Sequence, residues 1–327
     1  MLQHLEEIQS VSVYDILDCR LLIAAGITLW GQSAGGGSVS SYAYSWAEDP
    51  KVAALIADSG SAVRFINNQD TAQSNFSALA GMVGCENLSP EEELACMRKV
   101  DARNLENTFS WYVNNATGPR IGFTPVVDEK IVFSNYTERT LNGQIADLPM
   151  ITGYNTNEGA SFVPFTPDGP GEEVLFNTTL SRIGCSVAQN VLIRNLANLT
   201  TYRYEYAGNF SNISPLPWFG AYHSSELPML FGTHYEYRGN STEYEWEVAN
   251  AMQALWVSFA ENPARGPVRI SPDAASLAPE GNPNDGPLFE WPLFEQGSEN
   301  LLVMADGDTM FKLGSAEEGD SFCTFEL

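Results

Sequence analysis

Ile27-Thr-Leu-Trp-Gly-Gln-Ser-Ala-Gly-Gly-Gly37 decides how this chain is read. The apolar run from Leu21 to Trp30 predicts a buried strand, and it ends in Gly31-Gln32-Ser33-Ala34-Gly35, the Gly-x-Ser-x-Gly pattern of a strand turning sharply into a helix. In such an elbow the serine backbone is strained so that its hydroxyl projects, and the two glycines leave room where side chains would collide. Ser33 is therefore the candidate nucleophile. A plain glycine-rich turn gives the same pattern, so the choice falls to the rest of the chain. The small residues from Ala34 to Ala47 suit a helix packed close behind the serine. Val52 to Ala57 predicts a second buried strand, ending in Asp58-Ser59-Gly60-Ser61.

A chain of 327 residues that is 44% hydrophobic can bury a sizeable core. Sixteen Lys and Arg against 41 Asp and Glu give a net charge of -25, which repels phosphate backbones and anionic membranes and excludes nucleic acid as an expected partner. No apolar run is long enough to span a bilayer, so no transmembrane segment is expected. Residues 1–10 lack the basic-then-apolar order of a signal peptide.

Other features point outside the cell. Asn-x-Ser/Thr acceptors begin at Asn75, Asn87, Asn115, Asn135, Asn177, Asn198, Asn209, Asn212 and Asn240. Chance placement of these residue types predicts about three, so the excess fits a glycosylated, secreted protein. Cys85 and Cys96 flank a short excursion and are plausible partners for a bridge worth up to ~3 kcal/mol. Cys185 and Cys323 are a second possible pair over a long separation, which leaves Cys19 odd.

Residues 1–20 follow no clean period. Helices are expected from Asp70 to Val83 and from Pro90 to Val100, the second opened by Ser89 as cap with proline in the first helical position. A looped region then leads through Gly122 to Asp128. Leu148 to Gly153 predicts a strand followed by Tyr154-Asn-Thr-Asn-Glu158-Gly159, and an acidic residue beyond the C-terminal end of a strand is where an α/β enzyme keeps its chemistry. Tyr202 to Ala207 alternates like a strand, a proline-containing loop follows, and Tyr222-His223-Ser224-Ser225-Glu226 leads into a helix ending near Leu230. Glu245 to Glu261 is expected to be a helix with Val248, Met252, Leu255, Trp256 and Phe259 facing a core, and 266–286 a surface loop. With no repeat or linker, the whole chain reads as one α/β domain.

Three histidines make the search for a base short. His4 lies in the unpatterned N-terminus and His234 reads as part of a polar turn, whereas His223 completes the chain order Ser, acid, His in which this fold delivers a triad. Glu158 is the candidate acid by position.

Four blocks carry a resemblance: Thr28-Leu-Trp-Gly-Gln-Ser33-Ala-Gly-Gly-Gly37, Asp58-Ser-Gly-Ser61, Gly153-Tyr-Asn-Thr-Asn-Glu158-Gly159, and Gly220-Ala-Tyr-His223-Ser-Ser-Glu226 followed by Phe231-Gly232. In this order the chain resembles the type-B carboxylesterase/lipase family, the cholinesterase-like branch of the α/β-hydrolases, and most closely its secreted fungal members. The resemblance covers roughly Gly26 to the C-terminus. It implies Ser33 as nucleophile, Glu158 as acid, His223 as base, the Ala34 amide as an oxyanion donor and Ser59 as a buried hydroxyl supporting the acid. It also implies the pairs Cys85–Cys96 and Cys185–Cys323, an ester of a small molecule or lipid as substrate, no metal and no cofactor.

Residues 1–25 depart from the family, which places strands and a His-Gly-Gly oxyanion loop before the elbow and usually has a Phe-Gly-Gly-Asp-Pro-like turn where this chain reads Cys19 to Ala25. The expectation is an N-terminally truncated α/β-hydrolase, a partial domain over 1–327 whose mostly parallel sheet is incomplete, with doubtful activity of its own. Two rival readings stand beside the esterase. An inactive fragment or binding relative predicts loss of a triad residue, and none is lost. A serine peptidase of the same fold shares the triad.

Overall fold

The structure is a computed structural model describing residues 26–63, 70, 72, 74–115, 118–270 and 288–325. These fall into two compact units, one formed by the described residues before 64 and after 134, the other by those from 70 to 134.

The larger unit begins with β1 (Thr28–Gln32), α1 (Ala34–Ser45) and β2 (Ala54–Asp58). The smaller one holds α2 (Ser74–Met82), α3 (Pro90–Met97) and α4 (Ala102–Asn115). The larger unit resumes with α5 (Tyr136–Leu141), β3 (Met150–Asn155), α6 (Glu172–Thr179), a π turn over Leu180–Gly184, α7 (Cys185–Leu196) and β4 (Thr201–Tyr206). It ends with α8 (Leu227–Leu230), α9 (Glu243–Glu261), β5 (Val268–Ile270), β6 (Leu288–Glu290), β7 (Leu301–Asp306), β8 (Thr309–Gly314) and α10 (Glu317–Asp320).

Six strands form one sheet in the order β1-β2-β3-β4-β7-β8, parallel except for the antiparallel β7–β8 pair, and β5 and β6 form a small ribbon. This is the sheet of an α/β-hydrolase. β2 and β3 are buried along their whole length, as unbroken apolar strands in the middle of a parallel sheet should be. The first strand differs from its reading: it spans Thr28–Gln32, is half-buried throughout, and among the described residues pairs with β2 alone. The expected start at Leu21 lies outside the described residues.

The tyrosines of β4 alternate onto one face. Tyr202, Tyr204 and Tyr206 pack with Ile56, Ile151 and Met304 against the apolar face of α9, whose Val248, Met252, Leu255, Trp256 and Phe259 are all buried as expected. Arg203 turns to the other face, where its guanidinium donates two hydrogen bonds of 2.7 Å to Asp320, a buried pair beside the Cys185–Cys323 disulfide. Arg194, also buried, donates to the carbonyls of Leu148 and Thr200 and to Thr201 Oγ1, so one side chain satisfies the entrances of β3 and β4.

In the smaller unit, Leu79, Ala80 and Met97 gather with Phe76, Leu105 and Phe109 around the Cys85–Cys96 bridge. Ser89 and Glu92 cap α3 reciprocally, and Pro90 occupies the first turn. The region read as looped before Gly122 contains α4. Asp101 caps that helix by accepting from the amides of Arg103 and Asn104. None of its residues is fully buried, and Trp111 and Val113 stand exposed on it.

Candidate active site

The in-register pairing Gln32 with Asp58, Asp58 with Gly153 and Asn155 with Tyr206 brings the C-terminal ends of β1, β2, β3 and β4 to one edge of the sheet. Every candidate catalytic residue follows one of these ends. Ser33 sits between β1 and α1 at φ 58°, ψ -117°, a strained conformation for a residue with a side chain, and its amide donates to the Asp58 carbonyl at 2.8 Å. Strain of this kind costs about 1–3 kcal/mol and persists only where the surroundings enforce it.

Close approach of backbones enforces it here. A Cβ on Gly31 would lie 2.4 Å from the Gly35 carbonyl oxygen, on Gly36 2.7 Å from that of Asp58, and on Gly60 2.1 Å from that of Ser33. Gly35 itself has nothing within 4 Å of such an atom, which corrects the expectation that both glycines of the motif are needed for space. Crowding falls instead on Gly31 and on Gly36 and Gly60, because the elbow wedges its backbone against the turn after β2.

Beyond β3, Glu158 is fully buried. Its Oε1 accepts from Ser59 Oγ at 2.5 Å and from the Asn155 amide at 2.8 Å, and its Oε2 is hydrogen-bonded to His223 Nδ1. His223 Nε2 in turn lies 2.7 Å from Ser33 Oγ. A carboxylate oxygen only accepts, so Nδ1 carries the proton and Nε2 is left to accept from the serine hydroxyl. The three candidates thus form one hydrogen-bonded chain. Ala34 is the first residue of α1, where an amide has no partner inside the helix. The aromatic ring of Phe162 lies 5.0 Å from the imidazole.

The loop bearing His223 is held from several sides. Ser214 Oγ donates to the Gly220 carbonyl, the Asn157 side chain to those of Trp218 and Phe219, the Asn157 amide to that of Ala221, and Asn155 Nδ2 to that of Tyr222.

Two further carboxyls lie buried behind the triad. Asp58 accepts from Trp30 Nε1 at 2.5 Å and from the Tyr204 hydroxyl at 2.9 Å, and Glu226 is hydrogen-bonded to Asn155 Nδ2. Burial pushes the Asp58 pKa from 3.8 up to about 7, against the pull of those hydrogen bonds. Burial, with the nearby Glu158 and Asp58 charges added, raises that of Glu226 well above the carboxylate range. Neither position was singled out from sequence as functional, although Glu226 stands three residues after His223 in the same block.

A stability prediction follows from Asp58. Its folded pKa is raised, so between about pH 4 and pH 7 the native state binds more protons than the unfolded chain, and this group's contribution to stability falls as pH rises through that window. Asp58→Asn removes the dependence. Unfolding free energies of wild type and variant from denaturant titrations should diverge in the variant's favour by up to about 4 kcal/mol between the two ends. Parallel profiles would contradict the assignment.

His234, expected in a polar turn, is buried, with Nδ1 2.6 Å from Ser241 Oγ and its pKa lowered by desolvation. Residues 1–25, with His4 and Cys19, lie outside the described residues. Both expected disulfide pairs are formed. Of the glycan acceptors, Asn87, Asn115, Asn135, Asn177, Asn198, Asn209 and Asn240 are exposed, and Asn75 is half-buried. Asn212 is a correction: it is buried, and its Nδ2, the atom a glycan would occupy, donates to the His234 carbonyl and Ser241 Oγ.

No helix among the described residues is long and apolar enough to cross a membrane. The family model described as "Carboxylesterase family" matches residues 24–189 and 172–321. The chain is 58% identical over 299 residues to a chlorogenic acid esterase of Aspergillus niger, covering 91% of this chain and 57% of that protein. It is 40% identical over 269 residues to secreted lipase 5 of Gibberella zeae, covering 78% of this chain and 50% of the relative. The chain therefore spans about half the length of these curated relatives. With the family match running through elbow, acid and histidine alike, this chain belongs to the carboxylesterase family.

Proposed function

We propose that the protein hydrolyses carboxylic esters through an acyl-enzyme, with Ser33 as nucleophile, His223 as general base and Glu158 as the acid that orients it. One observation carries this reading: the continuous hydrogen-bonded chain from Ser33 Oγ through both nitrogens of His223 to Glu158. His223 takes the Ser33 proton as Oγ attacks the carbonyl carbon, and returns it to the departing alcohol. The bond between carbonyl carbon and alcohol oxygen breaks, leaving the acyl group on Ser33. Water, deprotonated by the same imidazole, then releases the acid and restores the serine hydroxyl. Glu158 stabilises the imidazolium in both steps, Ser59 holds Glu158, and the Ala34 amide is one donor to the developing oxyanion.

The similarity to a chlorogenic acid esterase makes an ester of an aromatic acid the first substrate to try, and the similarity to a secreted lipase makes an acylglycerol the second. The same similarities, the two disulfides and the exposed glycan acceptors support an extracellular location. The test uses the purified protein. A fluorophosphonate should label Ser33 stoichiometrically, identified by peptide mass, and chlorogenic acid and short p-nitrophenyl esters should be turned over in preference to matched amides. Amide cleavage at a comparable rate would favour a peptidase, and failure to label Ser33 would remove the hydrolase reading.

A further inference from the structure

Asn155 occupies a singular place between the acid and the base. Its backbone amide donates to Glu158 Oε1 at 2.8 Å. Its side-chain Nδ2 donates to the carbonyl of Tyr222, the residue before His223, at 2.8 Å, and to Glu226 Oε2. The orientation of the amide follows from its partners, since the Tyr222 carbonyl can only accept and so must face NH2. Both hydrogens of Nδ2 are then used, and both go from the end of β3 to the histidine segment, one to each side of His223 along the chain.

Glu226 completes the arrangement. It is fully buried, and among the described residues its Oε1 has no hydrogen-bond partner. The charged groups that bear on it are Glu158 and Asp58, both carboxyls, and a third anion in the same buried cluster is disfavoured by each of them. Burial and the neighbouring carboxyls both favour the uncharged form of Glu226, whose Oε2 accepts from Asn155.

Resting on the triad reading above, we infer that Asn155 is a positioning residue of the hydrolase: it sets the distance between the Glu158 carboxylate and the His223 imidazole by binding the acid with its main chain and the histidine loop with its side chain, and the Glu226 carboxyl holds its amide in place. Asn155 touches no reacting atom. Its effect runs through the aim of His223 Nε2 at Ser33 Oγ, where misplacement by about 1 Å costs roughly 10²-fold in rate.

The experiment measures kcat, KM and the rate of Ser33 phosphonylation for wild type, Asn155→Ala and Glu226→Gln, with thermal midpoints alongside. Asn155→Ala is expected to lower kcat and the phosphonylation rate together by about 10²-fold with KM changed by less than about threefold. Glu226→Gln keeps an acceptor oxygen for Asn155 and adds no charge, so its loss in kcat should be clearly smaller than that of Asn155→Ala. Should Asn155→Ala fail to fold, Asn155→Ser carries the test, one hydroxyl donor replacing two N–H donors with an intermediate loss in kcat. A folded Asn155→Ala with wild-type kcat overturns the inference. So does a Glu226→Gln variant as impaired as Asn155→Ala, because Glu226 would then act as an anion. A wild-type protein inert towards both ester and phosphonate would sink the hydrolase reading and this inference with it, whereas an active wild type with indifferent variants sinks the inference alone.

Discussion

Ser33→Ala is expected to abolish ester turnover, lowering kcat by about 10⁶-fold while leaving KM nearly unchanged. The side chain removed is small, and the elbow's φ of 58° is set by surrounding backbone rather than by the hydroxyl. Fold and substrate binding should therefore survive, and thermal unfolding of the variant should match wild type. His223→Ala should cost about as much, because each residue is useless without the other across their 2.7 Å contact. The double variant should be no worse than either single one. Kinetics of the three variants on one ester check this, and losses that multiply in the double variant would mean that the two residues do not act as a unit.

Glu158→Gln should lower kcat by about 10⁴-fold with little change in fold, and the present hydrogen bonds give the reason. Ser59 Oγ and the Asn155 amide both present hydrogens to the Oε1 position, so a glutamine there must place its oxygen on that side. Its NH2 group then faces His223 Nδ1 and donates to it. The imidazole is forced into the opposite tautomer, with hydrogen on Nε2, and can no longer accept the Ser33 proton. A crystal structure of the variant should be superimposable on wild type while single-turnover acylation is lost. Near-normal acylation by Glu158→Gln would show that the carboxylate does not select the tautomer.

Much of this site is legible in the order of residues, and the reasons are local. Strands β2, β3 and β4 announce themselves as compact apolar or alternating runs, and each ends in a residue whose type carries chemistry. Ser33, Glu158 and His223 can be named because an elbow, an acid and an imidazole must follow strand ends in that order. What sequence does not expose is pairwise and long-range. Gly60 lies inside a quoted block, but the reason for it, the Ser33 carbonyl 27 residues earlier in the chain, is not visible there. Asn155 lies inside a quoted block, yet its double role depends on Tyr222 and Glu226 coming alongside. Helix α4 is legible too, since Leu105, Phe109, Tyr112 and Val113 recur at helical spacing behind the Asp101 cap, a period that the looped reading overlooks. Asn212 satisfies the acceptor triplet, but burial removes it, and a triplet carries no information about burial.

The separation of the triad along the chain bears on when the protein becomes reactive. Ser33 and His223 lie 190 residues apart and Glu158 and His223 65 apart, with β1 ending just before the first and β2, β3 and β4 between it and the last. Contacts of such long loops are entropically expensive to close and form late in assembly. Until the four strands are laid side by side, the chain carries an ordinary alcohol, an ordinary acid and an ordinary imidazole. Reactivity should thus switch on in a single late step, so that phosphonate capture during refolding reports the joining of all four of these strands rather than growth of any one of them.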